Sequence, residues 1–461
     1  MFLHNILILS LYAISSCIDF SRAGKECNLN IPVAKVNIRD FGAIPDDGID
    51  DSDAINKAIN QLATTGGTVL VPEGVWEIHK IVKIDVDNLH LRGDKEDRTV
   101  FHCPKTLADV YGENKNWSWS GGFINLAPKG APKTLASIIA SSNDAASVVK
   151  VDWMADKPSV GDWVQIWWHN DTGVDSLYRW LYGPEVPSSQ YGDELRAATG
   201  PRVRSWFKVT STTESSMSFD PPLPMPARVE WDLKVMKVPY LQGSAVSNIN
   251  FEFDSYPYPG HLKERGNNAI SCNALIQGEI DQININNADS GIFVSNSGFT
   301  TLSDIFIKGR YMHHPISVVS SSHCLVKNFE ILAPHRHGTT ISWSSHFNVF
   351  EDGMGVDLAM DSHRACSFRN LHKNIRIKCS KEPKQPLRSG GAYDRGLHSA
   401  RENAYVNIEF QFQGDGPPFN IKYLNEWPMG YFSGWHGNRE IVMKPEFSQQ
   451  KIEHLNEKLS P

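Results

Sequence analysis

Ile270-Ser271-Cys272-Asn273, Ile292-Phe293-Val294-Ser295-Asn296-Ser297, Ile316-Ser317-Val318-Val319-Ser320-Ser321, Ile341-Ser342-Trp343-Ser344-Ser345 and Cys366-Ser367-Phe368 are five versions of one phrase. They begin 22, 24, 25 and 25 residues apart. A second apolar run keeps step with them: Ile280…Ile283-Asn284-Ile285, Leu302…Ile305-Phe306-Ile307 and Leu325…Phe329-Glu330-Ile331. Alternation within each run sends every other side chain inward. A period in the twenties, carrying two or three short strands per turn, marks a chain that coils and buries its inward residues by stacking. The predicted fold is therefore all-β, a parallel β-helix.

Working back toward the N-terminus, Val36-Asn37-Ile38-Arg39-Asp40-Phe41-Gly42-Ala43 leads to Asp46-Asp47-Gly48-Ile49-Asp50-Asp51-Ser52. Ser52 or Asp51 is placed to cap a helix whose apolar positions are Ala54, Ile55, Ala58, Ile59 and Leu62. Gly66-Gly67 ends it, Thr68-Val69-Leu70-Val71-Pro72 reads as a strand, and Glu73-Gly74 turns into the strand Val75-Trp76-Glu77-Ile78. This order resembles the N-terminal cap of the pectate-lyase-like superfamily of right-handed parallel β-helix carbohydrate-active proteins, over about the first fifth of the chain. The resemblance implies a right-handed coil with an N-terminal capping helix. It leaves the substrate open, because lyases, hydrolases and phage tailspikes share that opening.

The period lapses between about 104 and 245, where nine of the thirteen Trp fall. The expected organisation is a leader over 1–17, a cap and first coils over 33–103, and an aromatic-rich β insertion over 104–245. Coils carrying the active-site ridge follow over 246–380, with a closing segment over 381–461. Two readings of the insertion stand side by side. One is a small β subdomain with its own core, which suits Val164 and Ile166; the other is a wall that stacks sugar rings, with Trp180, Tyr182, Arg202 and Arg204 as its substrate-binding candidates.

Of the 461 residues, 45 are Lys or Arg and 52 are Asp or Glu, a net charge of −7. No global basic field exists for nucleic acid, so an anionic ligand needs a locally basic site. The apolar run Ile6–Ile14 is too short to span a bilayer and suits a signal-peptide core. Ile14-Ser15-Ser16-Cys17 also resembles a bacterial lipobox, although Met1–Asn5 holds no Lys or Arg. Export is expected, with the product secreted, periplasmic or anchored to a membrane by a lipid on Cys17. Seven cysteines form no CxxC pair and so no zinc site of that spacing. Cys272 and Cys366 read as small core residues, and Cys27 with Cys103 as a pairing option in an oxidising compartment. The oligomeric state is not legible.

Aligned on the phrase starts, the preceding residues form columns: Asn267, Asp289, His313, Gly338 and His363, then Asn268, Ser290, His314, Thr339 and Arg364. With coils about 4.8 Å apart, His313, the triplet His335-Arg336-His337 and Asp361-Ser362-His363-Arg364 crowd onto one ridge. A shallow groove of small polar residues beside a His/Arg ridge suits an anionic polysaccharide or oligosaccharide. A single corner histidine is more simply a hydrogen-bonded ladder member; five His with three Arg in successive corners favour a site.

A uronate has an acidic hydrogen at C5, alpha to its carboxylate. Abstracting it needs that charge neutralised, a base at C5 and an acid at the group leaving C4. Arg336, Arg364, Arg310 and His335 are the candidates for substrate binding, and His313, His337, His363 and Tyr311 for proton transfer. The reaction expected is β-elimination giving a 4,5-unsaturated uronyl end. A terminal uronate losing water by the same chemistry would make the protein an oligosaccharide dehydratase. Hydrolysis of the polygalacturonase type is weaker: Arg376-Ile377-Lys378 is present, but Asn-Thr-Asp is missing and Arg336-His337-Gly338 replaces Gly-His-Gly. The Trp-Ile-Asp-His motif of pectate lyases is also missing. A non-catalytic carbohydrate-binding coil is the remaining reading. No cofactor is required by this chemistry; Ca²⁺ is an option through Asp352, Asp357 and Asp361.

Overall fold

Strand after strand of the chain pairs in parallel with its counterpart one turn later. The structure, a computed structural model, describes residues 18–24, 29–94, 98–170 and 176–443. The leader, its Cys17 and the pairing option at Cys27 lie outside them. Among the described residues no helix is long and apolar enough to cross a membrane.

Three walls make each turn of the coil. The first is a seven-stranded parallel sheet through Val82–Ile84, Ile124–Leu126, Asn268–Asn273, Ser290–Ser295, His314–Val319, Thr339–Ser342 and Met360–Ser362. The second is a ladder of single bridges, Ile276 to Gly298 to Ser322 to His346 to Phe368. The third is a fourteen-stranded sheet that includes Glu279–Asn286, Thr301–Lys308, Leu325–Ile331, Val349–Val356 and Leu371–Lys378. Midway along those third-wall strands stand Gln282, Asp304, Asn328, Asp352 and Asn374, all with φ between 51° and 55°. This left-handed column bends each strand once, and Asn and Asp tolerate that conformation better than most side chains.

Inside the coil the repeat is filled in columns. Ile280, Leu302 and Val326 give way to Phe350, His372, Tyr405 and Phe432. The rings of the last four stack at centroid distances of 4.7, 5.0 and 5.3 Å. The polar groups that enter are paid for by ladders. The Ser321 and Ser345 hydroxyls accept the backbone N–H of Ser297 and Ser321, and Asn370 and Asn403 do the same for Asn348 and Asn370.

The capping helix, Ser52–Gln61, buries Ala54, Ile55, Ala58 and Ile59. Neither expected capping side chain serves the helix itself. Asp51 accepts the N–H of Ile44 and Glu77, while Ser52 accepts those of His79 and Lys80. Both residues therefore tie the helix to the first coil.

The insertion is narrower than its expected bounds, because Ile124–Leu126 already lies in the first wall. Its body is a closed six-stranded barrel built from Lys133–Ile138, Val148–Trp153, Trp163–Trp168, Val203–Thr212, Ser216–Asp220 and Lys234–Lys237. It has its own core, and Trp163, Trp168, Trp206 and Trp231 are all buried. The barrel docks on the second wall: Trp206 Nε1 donates to the Asn296 carbonyl at 2.8 Å, and Ser205 Oγ lies 3.0 Å from His346 Nε2.

The register corrects the sequence alignment in the last two coils. Ile270, Ile292 and Ile316 pair as expected, but the next partners are Thr339 and Met360 rather than Ile341 and Cys366. Ile341 sits two residues further on. A two-residue slip preserves the inward–outward alternation, so the pattern alone does not register it. Cys366 is buried against the barrel rather than in the coil interior, where Cys272 lies.

Buried histidines make this fold sensitive to acid. Burial pushes His346 down to about 4 and His372 to about 3, and holds His323 well below its ordinary value. In the unfolded chain such imidazoles bind protons near pH 6.5, so below that the unfolded state holds more protons. Stability is then complete above pH 6.5 and lost as pH falls toward 4. The melting temperature is expected to drop steeply between pH 7 and pH 4. His372→Phe, which keeps the ring stack, should remove about 3 kcal/mol of that pH dependence. An unchanged pH profile in the variant would contradict this assignment.

Candidate functional site

The site stands at the corner where the third wall passes into the first, and a buried carboxylate is its centre. Asp361, on the strand Met360–Ser362, is fully buried. Its Oδ2 lies 3.0 Å from His337 Nδ1 and 2.8 Å from His363 Nδ1, and it accepts the Thr340 hydroxyl at 3.1 Å. Its Oδ1 accepts the Gly390 N–H at 2.9 Å. Burial alone would raise this carboxyl, but the His363 and His337 imidazoles and their hydrogen bonds hold it well below the usual carboxylate range. An ionised carboxylate only accepts, so both imidazoles donate Nδ1–H to it, and Nε2 of each is left as the nitrogen with the lone pair.

The coil supplies the neighbours. His314 and His337 stack with centroids 4.5 Å apart, and His337 meets His363 edge-on at 4.5 Å. His313 follows at 5.1 Å from His337, its Nδ1 donating to the Ser118 carbonyl at 2.7 Å. The Nε2 atoms of His313 and His337 are buried without a hydrogen-bond partner in the protein. Burial first, and neighbouring imidazoles second, push His313 down to about 3; burial also lowers His337. At neutral pH these rings are bases with free lone pairs.

Two excursions enclose the cluster. Residues 254–267 bring His261, whose ring lies 5.0 Å from that of His313, together with Tyr258 and Glu264. Tyr258 donates to Glu264 Oε1, which lies 3.6 Å from His313 Nδ1. Tyr256 donates to Asp289 at 3.0 Å, holding this excursion to the coil. From the other side comes the segment with Gly390. A Cβ there would meet His337 Cε1 at 2.1 Å and His363 Cε1 at 2.3 Å, so only glycine lets the backbone lie on both rings.

The sequence candidates separate in the structure. His313, His337 and His363 converge, with His363 keeping a partly exposed side chain. Tyr311 is half-buried, its ring 4.8 Å from that of Tyr258. Arg336 is exposed beside His261, whose pKa burial and then the Arg336 charge lower. Arg310, by contrast, is spent on Asp289 at 2.7 Å and on the Tyr256 ring. His335 is engaged on both nitrogens, by the Ala333 carbonyl at 3.0 Å and the Ala359 N–H at 3.4 Å.

Arg364 is not a free carboxylate clamp. It donates to the Gly396 carbonyl, lies 3.7 Å from Glu426, and sits 4.8 Å from the Tyr393 ring centre. Arg364, Ala365 and Cys366 have φ of 60°, 58° and 65° in succession. That strained turn follows His363 directly, and Arg364 is the bolt that holds it.

The proposed sugar-stacking wall also dissolves. Tyr182 is fully buried and bonded to Cys366, while Trp180 carries the guanidinium groups of Arg369 and Arg401 over its ring. Arg202 gives its carbonyl to Ser344, and Arg204 lies over Trp167. These four residues belong to the junction of barrel and coil. Asp352, Asp357 and Asp361 do not converge either: Asp352 bonds Asn374, and Asp357 accepts the N–H of Ser380 and Lys384.

Sequence reading placed Asp361 on the ridge but not at its centre, and missed His261, Glu264, Tyr258 and Gly390. The excursions lie outside the repeat and have no column to betray them. Only the density of aromatic and ionisable residues from Tyr256 to Glu264 signals anything.

Residues 35–122 match the family model described as rhamnogalacturonase A/epimerase, pectate lyase-like. The N-terminal resemblance and the right-handed parallel β-helix therefore stand. Among curated proteins none matches. Solved structures similar in fold include the exopolygalacturonase of Thermotoga maritima, with 11% identity, 90% of this chain and 89% of that one covered, and a TM-score of 0.42. The A-module of the mannuronan C-5 epimerase AlgE4 of Azotobacter vinelandii shares 9% identity over 91% of this chain and 100% of that one, with a TM-score of 0.42. The tailspike gp61 of Pseudomonas phage phi297 shares 12% over 89% and 76%, also with a TM-score of 0.42. Likeness at this level concerns the coil and carries nothing about activity.

The two arginines of the ridge should behave oppositely. Arg364→Ala leaves Glu426 and the strained turn uncompensated and is expected to cost roughly 2–4 kcal/mol of stability. Arg336→Ala, at an exposed position, should leave the melting temperature within about 1 °C. Equal melting temperatures for both variants would contradict the assignment.

Proposed function

We propose that the chain is an exported carbohydrate-active lyase that performs β-elimination on uronate-containing polysaccharide or oligosaccharide. The observation that carries this reading is the pair of imidazoles held by one buried carboxylate. Asp361 fixes His363 with Nδ1–H inward, so that Nε2 is the atom left to take a proton at the partly exposed edge. The family model over residues 35–122 names carbohydrate-processing enzymes, and the apolar run Ile6–Ile14 supports export.

In this reading Arg336 pairs with the uronate carboxylate and lowers the cost of charge developing alpha to it. His363 Nε2 removes the C5 proton, the C5 electron pair forms the C4–C5 double bond, and the C4–O bond breaks. The Tyr311 hydroxyl donates the proton to the departing oxygen. A glycosidic oxygen leaving gives a cleaved chain; a hydroxyl leaving gives water and an intact one. The carboxylates at this corner do not favour hydrolysis. Asp289 is consumed by Arg310, Tyr256 and three backbone N–H groups and Asp361 by two imidazoles, while Glu264, with Tyr258 on its Oε1, is fully buried and out of reach of a substrate. A two-carboxylate mechanism needs one of them free.

The test is ultraviolet absorbance of the unsaturated uronate, with mass spectrometry, on a panel of uronic-acid glycans and their saturated oligomers. Absorbance should appear, and His363→Gln should reduce the rate at least about 100-fold while leaving the circular-dichroism spectrum unchanged. Shortened chains identify the lyase, and intact chains lighter by one water identify the dehydratase. Cleavage without absorbance, or solvent deuterium entering C5 without absorbance, would overturn elimination in favour of hydrolysis or epimerisation. Wild-type turnover in His363→Gln would move the base elsewhere.

A further inference from the structure

Three imidazoles at this corner share a feature that proton transfer by His363 does not use. One nitrogen each from His261, His313 and His337 lies within 4.8 Å of the other two. His313 and His337 are each held at Nδ1 by an acceptor, the Ser118 carbonyl and the Asp361 carboxylate. Their Nε2 atoms are left buried and unpartnered. Leaving two such acceptors buried without partners is costly. A second neighbouring group, His337 with Asp361 and His363, has the same spread. There, however, the carboxylate already accepts both Nδ1–H groups, at 3.0 and 2.8 Å. That is the position of a carboxylate orienting a ligand histidine rather than of a ligand itself.

We infer that His261, His313 and His337 form a binding site for one divalent transition-metal ion of the zinc class. Neutral imidazoles select such borderline ions over Ca²⁺, which takes oxygen donors. A tetrahedral site with Zn–N bonds of about 2.05 Å needs nitrogens about 3.3 Å apart, so from their spread of up to 4.8 Å the three rings close inward on the ion, the exposed His261 being the one outside the coil. The surroundings agree. Glu264 is buried beside these rings, with Oε2 unpartnered and Oε1 3.6 Å from His313 Nδ1. Three protein ligands leave a fourth position for another donor, the arrangement of a catalytic rather than a structural metal. Resting on the elimination reading, that position takes a uronate carboxylate oxygen, adding to the positive charge that Arg336 supplies and the bolted Arg364 does not.

The experiment titrates the full chain, stripped with a chelator, with Zn²⁺ by calorimetry and with Co²⁺ by visible absorption. One equivalent should bind, and Co²⁺ should give the intense d–d bands of a four- or five-coordinate nitrogen site. His261→Ala, exposed and outside the coil, removes a ligand without touching the core and should weaken binding at least about 100-fold. Asp361→Asn should weaken it about 10–100-fold, and His436→Ala, an exposed histidine elsewhere, not at all. No stoichiometric uptake, or uptake equally tight in His261→Ala and His313→Ala, would overturn the site. The readout is independent of turnover. Elimination without metal binding would defeat this inference alone, and metal binding without elimination on any glycan would defeat the lyase reading alone.

Discussion

Parallel stacking of one turn of chain on the next is the constraint on which everything else depends. Each turn passes its backbone N–H and C=O groups to the turns above and below. Side chains one coil apart are thereby set at about 4.8 Å, close enough to stack rings but too close for like charges in a dry interior. The column Phe350, His372, Tyr405 and Phe432 shows the first consequence inside the coil. The corner histidines show it again beneath the corner, where the buried His314 lies on the buried His337 at the same spacing. Such crowding of imidazoles is tolerable only when most are neutral, and burial keeps them so.

A neutral imidazole is useful chemically only if its tautomer is fixed. Here the acceptors do that work. Asp361 serves two rings at once, and Thr340 relays the same carboxylate to His314 Nδ1 at 3.1 Å. The excursion bearing Tyr258, His261 and Glu264 and the segment bearing Gly390 then close the corner from two sides. The barrel contributes differently: it docks on the second wall and packs against the strained turn after His363, through Ala365, Cys366 and Phe368. It supports the ridge from behind instead of lining it with sugar-stacking rings.

The coil was legible because inward Ile, Leu and Val recur with a period that only a stacked fold explains, and because the capping helix carries a distinctive order of elements. The ridge was legible too, since His313, His337 and His363 belong to successive turns. What escaped did so for identifiable reasons. The slip from Ile341 to Thr339 leaves the alternation intact, so pattern reading is blind to it. Arg364 looks like a ligand for anions in a column, yet its guanidinium turns to Gly396 and Glu426, which lie in a segment without periodicity. Tyr182 has the composition of a binding residue and the burial of a core one. Long-range partners of this kind leave no trace in local sequence.

The most direct test of the account is the protonation of individual ring nitrogens at the corner. Long-range ¹H–¹⁵N correlation on histidine-labelled protein, assigned with single-site variants at pH 7.5, reads each tautomer. The account predicts a proton on Nδ1 and a lone pair on Nε2 for both His313 and His337, with Nδ1 of His363 also protonated. A proton on Nε2 of His313 or His337, or a doubly protonated ring at either, would contradict it, because neither nitrogen would then be free to accept a proton or bind a metal.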